Sequence, residues 1–147
     1  MAPESHVLGF LFSPDLRRVI LVRRSGRWHG PGGRVDRGEL PSEAVRRIFG
    51  EAVGLDVRDW VRFAVLTGVD EGVYKRLHYF YAVSPLTGRA TPSGEQVRVL
   101  EVSGLPSAGT HVGVDWIVVL AASMASGRDD ADEYAVEREY EEPRGES

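Results

Sequence analysis

The 147-residue sequence contains no cysteine, and this absence limits the kinds of bond and site that the protein can contain. Disulfides, thiolate metal sites and cysteine nucleophiles are excluded, and the composition gives no support for secretion. The chain also lacks a charged start followed by an apolar run, which is the pattern of a signal peptide. No apolar stretch approaches the roughly 20 residues that a membrane helix needs. These absences predict a cytoplasmic protein with no membrane partner.

The sequence has no excess of positive charge, since 18 basic residues face 22 acidic residues and the net charge is −4. This balance argues against a polymeric nucleic acid as partner. The charge is unevenly placed, because residues 127–147 hold nine acids and only three arginines. Residues 1–126 are therefore mildly basic, which suits a small phosphorylated ligand.

The order of apolar runs predicts one layered domain, and the chain is long enough for a single core. Apolar or alternating runs typical of strands occupy residues 6–13, 18–24, 61–66, 77–83 and 97–102. Helical patterns occupy residues 41–53 and 110–126. Glycine and proline between residues 25 and 39 argue against regular structure there.

We expect residues 1–126 to form the core of the domain and residues 127–147 to be an acidic C-terminal segment. Solvation is the simplest role for the acidic side chains of that segment. Residues 134–140 alternate as a strand does, so the segment is also a candidate for a final strand of the same domain.

The first predicted helix has one apolar face, which identifies the side that packs on the core. Pro41 suits its first turn, where Ser42 or Glu43 can accept from free amides, and Gly54 ends it. The apolar arc contains Ala44, Val45, Ile48, Phe49, Ala52 and Val53. In the second helix, the expected apolar face consists of Trp116, Val119, Leu120 and Met124.

A glycine-rich loop precedes the first helix. Seven residues of the loop, the helix and its end stand at fixed spacing. They are Gly33, Glu39, Arg47, Phe49, Glu51, Gly54 and Leu55. Residues 33–55 resemble the Nudix box, the loop–helix–loop of hydrolases that cleave diphosphates linked to another group. The resemblance implies an α/β (α+β) fold, namely a Nudix-like α/β/α sandwich with a mixed central sheet.

The box departs from the family pattern at two metal ligands. By resemblance, three helix glutamates bind Mg²⁺ or Mn²⁺ and help to activate water, but two of those positions hold Ile48 and Ala52. We expect Glu51 and Glu95 to be the catalytic residues, with the Gly33 carbonyl as a further metal ligand. Because a metal can supply several kcal/mol of transition-state stabilisation, this loss predicts a degraded or rebuilt centre.

The remaining candidates each have a structural alternative. Glu39 and Arg47 are expected to form an ion pair that locks the loop, although a solvated charge ladder along the helix is the simpler explanation. Arg23 and Arg24 are candidate phosphate contacts or plain solvated arginines. Trp28 either stacks on a base or plugs the loop.

The last candidate, His78, either contacts ligand from the cleft or is a satisfied strand residue.

Three classes of function follow from these candidates. We favour metal-dependent hydrolysis of a nucleotide or nucleotide-like diphosphate; the alternatives are a binding or sensor module that has lost the chemistry and an interaction protein that uses the acidic segment. The sequence leaves a homodimer open.

Overall fold

The computed structural model describes residues 3–70, 72–86, 96–107, 114–126 and 136–141. The strands are β1 (Glu4–Phe12), β2 (Arg18–Arg24), β3 (Arg27–His29), β4 (Gly32–Arg34), β5 (Val61–Asp70), β6 (Val73–Val83), β7 (Gln96–Glu101) and β8 (Val136–Glu141). The helices are α1 (Pro41–Val53) and α2 (Val114–Ala125), with a 3₁₀ helix at Val102–Ser107.

The eight described strands form one mixed sheet, as the sequence predicted. Its main order is β3-β2-β1-β6-β5-β8, with β4 paired to β1 and β7 paired to β2. The pairs β1–β6 and β5–β8 are parallel, and the other pairs are antiparallel. The central strand β1 is covered on both faces, which explains its nearly continuous apolar sequence.

The two helices lie against opposite faces of the sheet. On one face, Val45 and Ile48 of α1 cluster with Val7 of β1 and Phe80 of β6. On the other face, α2 packs on a cluster that contains Phe10 of β1 and further aromatic residues. The molecule is therefore an α/β/α sandwich, and the α1 face carries the loop of the box.

Helix α1 begins and ends where the sequence predicted. Glu43 accepts a hydrogen bond at 2.9 Å from the Leu40 amide, which satisfies a free donor at the first turn. The expected arc is buried in full: Ala44, Val45, Ile48, Phe49, Ala52 and Val53. At the other end Gly54 adopts a left-handed φ of 84° and donates to the Gly50 carbonyl at 2.8 Å.

One expectation about local structure is wrong, and another is met only in part. The glycine-rich stretch contains two short strands, β3 and β4, because neighbouring strands β2 and β1 supply their hydrogen-bond partners. In α2, Met124 is buried and Leu120 packs against the core as expected, whereas Val119 is 55% exposed and Ile117, Val118 and Ala121 are buried. The side chain of Trp116 lies outside what the structure describes. Since α2 is apolar on nearly every side, its sequence periodicity did not identify the packed face.

The C-terminal strand β8 pairs in parallel with β5 over six residues, from Ala64 opposite Val136 to Val69 opposite Glu141. The division of the chain at residues 126 and 127 stays a prediction.

None of the helices in the described part of the chain has the length and apolar character that a membrane crossing requires.

Candidate functional site

Arg47 fastens the loop of the box to helix α1. Its Nε donates to Glu39 Oε2 at 2.8 Å and its Nη2 to Glu39 Oε1 at 2.9 Å, a bidentate pair. Arg47 Nη2 also donates to the Arg34 carbonyl at 3.2 Å, and the Asp36 amide donates to Glu39 Oε1 at 3.0 Å. The loop is thus held at three points by one side-chain pair.

The environment of Glu39 stabilises its charged form. The hydrogen bonds from Arg47 are the largest cause, and the bond from the Asp36 amide adds to them. The pKa of Glu39 therefore falls to about 2. Arg47 in turn has a raised pKa because of its bonds to Glu39. Both groups are charged at neutral pH, and their partners are within the loop and helix, so this pair serves to hold the box together.

Glu51, the one acid at the three helix positions where the resemblance implies metal ligands, lies on the outer side of α1. Its side chain is 67% exposed, and its Oε1 lies 3.6 Å from Arg47 Nη1. It lines an open groove of about 690 Å³ together with Glu43, Arg46 and other residues of α1 and of the segment that follows it. Glu51 is therefore accessible, and its nearest charge is a cation of its own helix.

Ile48 and Ala52, at the two lost glutamate positions, belong to the core. They are only 8% and 6% exposed. A Cβ placed on Gly33 would lie 3.2 Å from Ile48 Cδ1, so the isoleucine side chain rests against the glycine of the loop. An apolar side chain fills the space beside the backbone that was expected to approach a metal.

The described donor set does not fit a metal centre built from several carboxylates. No three His, Asp or Glu side chains of the described residues are grouped so that they could hold an ion. Hard cations such as Mg²⁺ need several oxygen ligands together, and Glu51 alone supplies one carboxylate here. The other expected acid, Glu95, lies outside the described residues.

Trp28 is a core residue that two arginines cover. It is 6% exposed and packs in the cluster beneath α2. Arg23 Cζ lies 5.9 Å and Arg98 Cζ 6.0 Å from the ring centroid, both within cation–π range. This placement favours the interpretation of Trp28 as a plug. Arg24 donates from Nη1 to the Gly32 carbonyl at 3.3 Å, so it supports the loop backbone.

His78 lies on the α1 face of the sheet beside two arginines. It is 7% exposed, and Arg62 Nη1 lies 3.3 Å from its Nδ1. Because a guanidinium can only donate, Nδ1 accepts, and the proton of the neutral ring is on Nε2. Burial lowers the pKa of His78, and the charges of Arg62 and then Arg76 lower it further. The ring is thus neutral near pH 7.

Sequence reasoning missed Arg62 and Arg76. Arg76 and His78 are two residues apart on β6 and so share a face, a signal that was present in the sequence. Arg62 depends on a β-bulge, since the register passes from Arg62–Phe80 to Ala64–Tyr79. A bulge changes the face of the sheet to which a side chain points, and the local sequence pattern does not predict it.

Comparisons with known proteins agree with this fold. The NUDIX domain family profile matches residues 3–113. No curated protein matches the chain at a significant level. Among solved structures, a MutT protein from work on Aliivibrio salmonicida and Vibrio cholerae is 20% identical, with a TM-score of 0.69, and the match covers 84% of this chain and 98% of that one.

Two further neighbours show that the same fold occurs in proteins with different ligands. The NUDIX domain of Shewanella oneidensis NrtR, solved with ADP ribose, is 17% identical with a TM-score of 0.70 over 86% of this chain and 89% of that one. A C. elegans Ap4A hydrolase is 15% identical with a TM-score of 0.71 over 85% and 99%. At these identities the likeness shows the fold alone. With the family profile matched over most of its length, the chain belongs to the NUDIX domain family.

Proposed function

We propose that this protein binds a nucleotide-like diphosphate on its Nudix fold and has lost efficient metal-dependent hydrolysis. The observation that carries the proposal is the burial of Ile48 and Ala52, with Ile48 packed against Gly33. Two of the three helix positions at which the resemblance implies metal ligands therefore hold core residues. Without them, the neutralisation that phosphoanhydride cleavage requires is severely weakened.

The binding half of the proposal rests on what the box retains. The Arg47–Glu39 pair still holds the loop in place, and the mildly basic body suits an anionic ligand. A related NUDIX domain has been solved with ADP ribose. That neighbour makes ADP ribose and compounds like it sensible probes for this chain.

Metal-dependent hydrolysis is the second candidate function, because Glu51 is exposed at its box position and several neighbours are hydrolases. On this alternative Glu51, Glu95 and the Gly33 carbonyl hold one Mg²⁺ or Mn²⁺ ion. It differs from the first proposal in requiring turnover.

The test is a panel of ADP ribose, Ap4A and nucleoside triphosphates, assayed for thermal stabilisation and for hydrolysis with Mg²⁺ or Mn²⁺. We expect saturable stabilisation by at least one compound, and turnover no greater than that of Glu51→Gln. Metal-dependent turnover that disappears in Glu51→Gln would overturn the proposal in favour of hydrolysis, and Glu95 would be the next residue to change.

A further inference from the structure

One part of the α1 face of the sheet lies beyond helix α1. The helix packs on β1 and β4, and its apolar cluster includes Phe80 of β6. His78, Arg76 and Tyr74 alternate along β6 on the same face as Phe80, towards the start of the strand. Tyr74 is 45% exposed, so the described part of the chain leaves this end of the face open to solvent.

The row of β5 residues on this open face is mostly apolar. The register of β5 on β6 sets three residues of β5 opposite His78, Arg76 and Tyr74, and cross-strand partners share a face. The three are Val65, Thr67 and Val69. Val69 is 53% exposed. A sheet face in contact with water is typically polar, so an apolar row between two other strands indicates a surface that a partner covers.

Strand β8 adds a row of acids on the far side of β5. It pairs with β5 in parallel, and its register sets positions 137, 139 and 141 opposite the three residues of the apolar row. All three positions are glutamate. The structure describes β8 by its backbone, and the register is enough to assign these positions to the open face.

Cations occupy the other side of the apolar row. Arg76 of β6 is opposite Thr67, and Arg62 Nη1 lies 3.3 Å from Nδ1 of His78 on the same strand as Arg76. Both arginines are exposed to solvent and need no partner within the chain. The open face therefore presents three rows in order: cationic on the β6 side, apolar on β5 and acidic on β8.

This order of rows is complementary to itself about a two-fold axis. A half-turn about an axis along β5, between two stacked sheets, keeps the position along the strand and exchanges the two sides. β5 of one copy then lies over β5 of the other, and β8 of one copy lies over β6 of the other. Thr67 meets its own copy at the axis, and position 139 lies over the partner's Arg76.

We propose that the protein forms a homodimer by stacking its open face on that of a second copy, with β5 on β5. The apolar row fills the centre, and opposite charges flank it on both sides, an arrangement that fixes the register of association. Helix α1 lies over β1, one strand beyond β6, so it borders the partner's β8 and leaves the stacking surface free. No ligand or metal takes part, so the inference goes beyond the proposed function.

The test is sedimentation velocity of the full chain. The wild type should be dimeric. Arg76→Glu and Glu139→Arg should each weaken the dimer about tenfold or more, because each sets like charges opposite one another across the axis. An equimolar mixture of the two variants should dimerise again, since both contacts across the axis then join a glutamate to an arginine. Charge pairing within one chain cannot give this result.

Arg58→Glu is the matched control, since Arg58 is an exposed arginine on the segment after α1 and contacts Asp56. This variant should dimerise as the wild type does. A monomeric wild type, dimers that withstand both substitutions on the open face, or a mixture no more dimeric than its components would overturn the inference.

A second measurement keeps the test decisive if a charge variant folds poorly. The chain has no cysteine, so a bismaleimide cross-link through one introduced cysteine must join two chains. Stacked sheets lie about 10 Å apart, which a short bismaleimide spans. Thr67→Cys should give a covalent dimer, whereas Ser25→Cys, on the exposed turn between β2 and β3, should not. Equal yields from the two variants would contradict the dimer.

Discussion

Ile48 shows how one residue changes the chemistry of the box. A carboxylate at this position would meet the Gly33 backbone, and the isoleucine that stands there instead packs with Val7 and Phe80. A packed side chain thus stands at a position where the resemblance implies a metal ligand. The sequence predicted both parts of this outcome, because position 48 falls on the apolar arc of the helix and on a ligand position of the motif.

Ile48→Glu should destabilise the protein by about 3 kcal/mol, because it removes buried apolar surface and places a carboxylate among apolar neighbours. Urea unfolding monitored by circular dichroism measures the change. Glu51→Gln is the control, and its exposed position predicts a change within about 0.5 kcal/mol. Equal stability of the two variants would show that position 48 is not part of the core.

The Glu39–Arg47 pair should make the loop sensitive to acid. The pKa of Glu39 is lower in the folded protein than its ordinary 4.5, so its contribution is present above about pH 4.5 and disappears as pH falls towards 2. Glu39→Gln should lower the free energy of unfolding by about 1–2 kcal/mol at pH 7, and the difference from wild type should shrink below pH 4.

Urea titrations of both proteins between pH 7 and pH 3 measure this difference directly. Other carboxylates with lowered pKa values, such as Asp56, remain in both proteins, so their effects cancel in the comparison. A difference that is constant across this range would mean that the charge of Glu39 contributes nothing to the free energy of unfolding.

At the scale of elements, α1 was predictable because its signals are local. Its capping residues, its apolar arc and its terminal glycine all lie within 15 consecutive residues. Strands β3 and β4 were not predictable, since each has three residues and depends on partners elsewhere in the chain. The position of Arg62 beside His78 was missed for the same reason, as it depends on the register of β5 on β6.

The two glycines at the end of α1 should respond oppositely to alanine. Gly54 has a φ of 84°, so Gly54→Ala is strained and should cost about 1 kcal/mol. Gly50 is inside the helix, and a Cβ there meets only the Leu55 carbonyl at an ordinary 3.6 Å. Gly50→Ala should therefore stabilise by about 0.5–1 kcal/mol. Thermal unfolding of both variants provides the comparison, and shifts of the same sign would contradict this account of the helix end.

At the scale of the whole molecule, the C-terminal strand completes the sheet. β8 covers the edge of β5, whose backbone groups would otherwise be unpaired. Removing residues 127–147 should lower the unfolding temperature by about 5 °C or more and promote self-association. Removing only residues 142–147 is the control and should change little. An unchanged unfolding temperature after the longer deletion would place the core boundary before residue 127, as the sequence predicted for the acidic segment.

The whole chain combines a family fold with a box in which Ile48 and Ala52, at positions where the resemblance implies metal ligands, are packed in the core. The fold was predictable, because seven motif positions and the order of elements pointed to it. The state of the site was only partly predictable. The apolar residues at positions 48 and 52 were visible in the sequence, whereas the placement of Arg62 beside His78 required the assembled sheet.

The central claim is that the box no longer holds a catalytic metal. Titration of the protein with Mn²⁺, with free ion counted by electron paramagnetic resonance, tests this most directly. We predict weak binding, with a dissociation constant of about 1 mM or more that is the same for wild type and Glu51→Gln, since few carboxylates remain. A tight site, at about 0.1 mM or below, that is lost in Glu51→Gln would contradict the account.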